Sequence, residues 1–130
     1  LDKLRCRGIR GAITLPGNDR ENIMTATKRL LKEILRTNEV EIDDIAAIIF
    51  TTTPDLNAEF PAAATRELGW PQHIALLCGH EMDVPGSLPH CLRILMLVNT
   101  KKKAEEINHI YLEGAQKLKE NKLALSGDKA

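Results

Sequence analysis

Between Ile23 and Leu35 the chain writes one long amphipathic helix. Ile23, Thr27, Leu30, Leu31, Ile34 and Leu35 recur at helical spacing, and Lys28, Lys32, Glu33 and Arg36 fall on the other side. The elements around it alternate between strand and helix, which reads as a small α/β domain. The start is marked by the Pro16-Gly17 turn and by Asn18 or Asp19 as cap, with Glu21 in capping-box position to Asn18.

The first strand covers about Leu4 to Thr14 and contains Gly8 and Gly11, which predict a bulge or a close approach of backbone to another group. Ile45 to Phe50 is β-rich and apolar throughout, the pattern of a strand covered on both faces. A second, short helix is expected from Pro61 through Leu68, stopped by Gly69. Ile74 to Cys78, Cys91 to Thr100 and Ile107 to Leu112 complete the strands, with no internal repeat. At 130 residues there is room for one domain, residues 1–115, followed by a lysine-rich segment, 116–130, expected to be a mobile tail.

Eighteen Lys and Arg balance eighteen Asp and Glu, so no overall positive field would draw in nucleic acid or an anionic membrane. Any anion site must be local. No apolar run, Ile94 to Val98 included, comes near the length that spans a bilayer, and LDKLRCRG has no apolar signal-peptide segment. Cys6, Cys78 and Cys91 form an odd set without CxxC spacing, which fits a reducing compartment; the expectation is a cytoplasmic protein.

Few residues stand out as chemistry-bearing. Arg93 interrupts the apolar strand CLRILMLV on the same face as Leu95 and Leu97; it is either an exposed edge position or an anion-binding arginine in a cleft. Arg10, between Gly8 and Gly11 in GIRG, has the same two readings, and the GxxG likeness to an RNA-clamping loop is weakened by its place inside a strand. His80, Glu81, Asp83 and His90 match no metal-ligand spacing. Cys78 with His80 as base is a conceivable nucleophile pair, without an evident orienting group.

Taken in order, RGIRGAIT (Arg7 to Thr14), TPDLNAEFPA (Thr53 to Ala62), CGHEMDVPG (Cys78 to Gly86), CLRILMLV (Cys91 to Val98) and HIYLEGA (His109 to Ala115) resemble the barrel-like class of monofunctional chorismate mutases. The resemblance implies an α+β fold with a mixed sheet packed by two helices, a homotrimer forming a pseudo-α/β barrel, and active sites between subunits. It implies an isomerase of aromatic amino acid biosynthesis that takes chorismate to prephenate, with no cofactor and no metal.

Carried over by motif, Arg93, Glu81, Cys78 and Arg10 would act in catalysis. Arg93 would donate to the ether oxygen as it becomes negative, and Glu81 would accept the substrate hydroxyl. One wall would combine Arg10, Leu77, Cys78, Gly79, His80, Glu81, Arg93 and Tyr111, while Phe60 and Arg66 would arrive from the neighbouring subunit. Ala63 and Leu77 depart from the family pattern, where lysine and threonine are common. A related trimeric deaminase-like enzyme and a non-enzymatic binding module are the rival readings; the Arg10, Glu81 and Arg93 set counts against both.

Overall fold

The helix read from the sequence is α1 (Arg20–Asn38), and Asp19 caps it by accepting the Asn22 N–H at 2.8 Å. Asn18, the alternative cap, is used elsewhere. Its side-chain oxygen accepts the N–H groups of Asn57 and Ala58, at 3.0 Å each, and so ties a distant loop to the helix start. The computed structural model describes residues 3–120. In chain order they form β1 (Arg5–Thr14), α1, β2 (Ile45–Thr52), α2 (Ala63–Glu67), β3 (Ala75–His80), β4 (Cys91–Thr100), β5 (Ile110–Leu112) and α3 (Gln116–Glu120), joined by short 3-10 turns.

The strands make one mixed sheet in the order β3-β2-β4-β1-β5. β1 and β4 pair antiparallel along their whole length, from Arg5 opposite Thr100 to Thr14 opposite Cys91. β2 runs antiparallel to β4, whereas the outer strands β3 and β5 run parallel to β2 and β1. β4 is therefore the central strand, which removes the edge-position reading of Arg93.

One face of the sheet carries the core. Ile9, Ile13, Ile48, Phe50, Leu92, Ile94, Met96 and Val98 are buried against Ile23, Leu30, Leu31 and Ile34 of α1. Each such side chain contributes about 1.5–3 kcal/mol by leaving water. The close approach expected at Gly11 is that of α1 itself: a Cβ there would stand 2.8 Å from Ile34 Cδ1 and 3.1 Å from Leu30 Cδ1.

The other face differs from expectation. β2 alternates between buried and partly exposed positions instead of being covered on both sides, and Ala47, Ile49, Leu95 and Leu97 share a face on which α1 and α2 do not lie. Leu77, in register with Ile49, is 64% exposed. Residues 116–120 of the expected tail form α3, whose Leu118 packs on a small cluster of Ala12, Cys91 and Ala115; residues 121–130 lie outside the described residues.

β5 is shorter than the Ile107 to Leu112 run because Asn38, buried at the end of α1, takes the backbone of Asn108 for itself. Its side chain accepts the Asn108 N–H at 2.8 Å and donates to the Asn108 carbonyl at 2.9 Å and the Ile34 carbonyl at 3.0 Å. Replacing it by leucine would strand buried polar groups, each at about 1–3 kcal/mol. Asn38→Leu is expected to lower stability by about 2–3 kcal/mol, seen as a shifted urea midpoint at unchanged slope.

Candidate active site

The sheet register assembles a site on the open face. A row of in-register residues crosses the five strands: Gly79 on β3, Thr51 on β2, Arg93 on β4, Ala12 on β1 and Tyr111 on β5. Two residues past Gly79, on the same face, comes Glu81, and its N–H donates to the Thr52 carbonyl at 2.8 Å, extending the β2–β3 ladder beyond the strand. Arg10, two residues before Ala12, is in register with Leu95.

A cleft of about 470 Å³ opens here, with Arg10, Ala12, Thr51, Glu81, Arg93 and Tyr111 around it and Leu118 of α3 at its β5 side. That is room for a small metabolite. Ala12, almost fully buried, keeps the floor low between Arg93 and Tyr111.

The polar groups here are close but incompletely paired. The Thr51 hydroxyl donates to Glu81 Oε2, and the same oxygen lies 3.9 Å from Arg93 Nε, too far for a hydrogen bond. Among the described residues Arg93 Nε is buried with no hydrogen-bond partner. A native protein rarely leaves such a donor unmet, and an orphan of this kind points to a ligand or water that completes it. The Cys91 thiol beside it is pushed up by burial, an effect that the Arg93 charge and a contact of the Arg93 side chain with the thiol partly oppose.

Cys78, Gly79, His80 and Phe60 surround a second cleft, of about 360 Å³, at the end of β3. Cys78 is in register with Phe50 and packs on the helix-covered side of the sheet, the side opposite Arg93. This divides the single wall expected from the sequence. Cys78 and His80 go with Phe60, while Arg10, Glu81, Arg93 and Tyr111 stand apart from them across the sheet. Leu77 is on the open face with Ile49, and Arg66 is exposed on α2.

Phe60, 71% exposed, rides on a loop anchored to α1. Glu59 accepts from Arg20 at 2.9 Å and from the Phe60 N–H at 2.8 Å, and Arg20 also bonds Glu67 at 2.7 Å. Those two contacts hold the Glu59 carboxyl below the usual carboxylate range, the Phe60 N–H first.

The nucleophile pair considered from the sequence is not assembled. His80 Nδ1 faces the hydroxyl and carbonyl of Thr52, at 3.1 and 3.2 Å, and burial pushes the Cys78 thiol up, away from the reactive thiolate. Among the described residues no three His, Cys, Asp or Glu side chains are grouped to hold a metal ion.

The TPDL segment serves the site indirectly. Thr53 donates to Asp55 and accepts the Cys91 N–H at 3.0 Å, while the other Asp55 oxygen accepts the His90 N–H at 3.0 Å. Burial pushes the Asp55 carboxyl up, yet the Thr53 hydroxyl and the His90 N–H bring it below its ordinary value. The stitch fixes the end of β2 against the start of β4, and with it the register that sets Thr51 opposite Arg93. Thr51, Ala12 and Leu118 were not legible as site residues; the strand alternation hints at a shared face, but only the register names the neighbours.

The chorismate mutase type I family matches residues 6–122. Chorismate mutase AroH of Bacillus subtilis (strain 168) is 44% identical over 108 residues, covering 82% of this chain and 84% of that protein. Chorismate mutase AroH of Thermus thermophilus is 43% identical over 114 residues, covering 87% and 93%. A solved chorismate mutase from Clostridium thermocellum superposes with a TM-score of 0.83 at 50% identity, covering 85% of this chain and 98% of that one.

Proposed function

The chain belongs to the chorismate mutase type I family, and from that premise we propose how its two clefts share the reaction. The enzyme is an isomerase that converts chorismate to prephenate, a step of aromatic amino acid biosynthesis. Chorismate carries two carboxylates, a hydroxyl and an enolpyruvyl ether, and it rearranges in one concerted intramolecular step. The site has to select the compact conformer and meet the charge that develops as the ether C–O bond breaks.

The observation that carries the reading is the buried Arg93 Nε beside Glu81, without a hydrogen-bond partner among the described residues. In this reading Arg93 donates to the ether oxygen as it turns negative, and Glu81 accepts the substrate hydroxyl and favours the electron-poor ring. Arg10 and Tyr111 bind carboxylate, the arginine through its two-pronged fork. Phe60, Cys78, Gly79, His80 and Arg66 form the complementary wall, supplied by a neighbouring subunit of a homotrimer, and Leu77 stays on the open face beside Ile49. Two facts support the trimer: the uncovered apolar face with Leu77 and Leu95, and the separation of the expected wall into two clefts. The free cysteines support a cytoplasmic location. Among the described residues no helix is long and apolar enough to cross a membrane.

Following the absorbance loss of chorismate with no metal or cofactor added tests the chemistry. Turnover is expected to be the same with and without EDTA. A rate that falls to background in the chelator would overturn the metal-free reading.

A further inference from the structure

Thr51 holds a position that neither motif nor family resemblance marks. It sits on β2 directly opposite Arg93 of β4 and beside Gly79 of β3, half-buried in the floor of the larger cleft. Its hydroxyl donates to Glu81 Oε2, the oxygen that faces Arg93 Nε at 3.9 Å. A guanidinium and a carboxylate this near would ordinarily close to about 2.7–2.9 Å. Here the carboxylate is already engaged by a neutral donor on the neighbouring strand, and among the described residues Arg93 Nε is left without a hydrogen-bond partner.

We propose that Thr51 is a positioning residue which keeps Glu81 from pairing with Arg93, so that Arg93 Nε and the second Glu81 oxygen both stay available to the substrate. The proposal rests on the roles given to Arg93 and Glu81 above. Without the hydroxyl, Glu81 closes onto Arg93 and the two charges satisfy each other. The ground state then gains what the transition state should have received, and kcat falls more than binding does.

Thr51→Val keeps the size and branching of the side chain and suits a strand. A hydrogen bond to a charged group governs roughly a tenfold effect, so Thr51→Val is expected to lower kcat about tenfold with KM within about threefold. Thr51→Ser, which keeps the hydroxyl, should return most of the rate. Thr51→Ala, which removes the hydroxyl without adding a methyl, should match the valine variant and replaces it if that protein does not fold.

The discriminating measurement is the double-variant cycle. With Glu81→Gln the carboxylate that could collapse onto Arg93 is gone, so adding Thr51→Val should change kcat by less than about twofold. An equal tenfold loss in both backgrounds would show a merely structural role and overturn the proposal, as would a wild-type rate for Thr51→Val. If Glu81→Gln alone turns over normally, the role of Glu81 falls and that of Thr51 falls with it, a result visible before any Thr51 variant is measured.

Discussion

Arg93→Lys is expected to lower kcat by about 10²–10³ while KM changes far less, and Arg93→Met to lower it further. Removing one well-placed donor to a developing oxyanion costs about 3–4 kcal/mol. A millionfold acceleration corresponds to roughly 8 kcal/mol, so this one group is asked for a large share of the whole. Lysine keeps the charge but loses the planar fork and the rigid placement of Nε. An interaction made only in the transition state shows itself in kcat and kcat/KM together. Near-normal turnover by Arg93→Lys would sink the assignment.

The same substitution should leave the fold intact. Among the described residues Arg93 Nε is buried without a hydrogen-bond partner, and its contact with Glu81, 3.9 Å long between side chains about a third exposed, adds little to stability. Replacing such a guanidinium by an apolar chain removes a desolvation cost instead of a useful bond. Arg93→Met is therefore expected to melt at or above the temperature of the parent. Collapse of kcat with an unchanged or raised Tm separates an arginine kept for chemistry from one kept for structure.

How far the sequence disclosed this depends on the length scale of each feature. The periodicity of α1 and the strand from Cys91 to Thr100 are local patterns, and both were legible almost to the residue. The use of Asn18 to hold residues 57 and 58, and of Asn38 to divert Asn108 from β5, involves partners 39 or more positions away. No local pattern encodes them. Arg93 illustrates the same limit: alternation gave its face, but only the strand order set it in the middle of the sheet rather than at an edge. The family resemblance set Cys78 in one wall with Arg93. The pairing of Cys78 with Phe50 and of Thr51 with Arg93 puts those two side chains on opposite faces.

That separation leads to the second large expected effect. A small dianion cannot touch both faces of one sheet, whose backbone lies between them, so a site that uses Phe60 and Cys78 together with Arg93 must draw them from different subunits. Arg93→Met disables one wall. Phe60→Asp disables the other, since it sets a carboxylate against a dianionic substrate at an exposed position where folding is not at risk; like-charge juxtaposition is expected to cost about 10² in kcat/KM. Each variant alone is then nearly inactive. When the two are unfolded and refolded together in equal amounts, about one site in four pairs an intact Arg93 wall with an intact Phe60 wall, if subunits assemble at random around a three-fold axis. The mixture should recover about a quarter of the parental activity, whereas separately refolded variants combined afterwards should not until subunits exchange. If the two walls served the same subunit, every site would carry one defect and mixing would restore nothing.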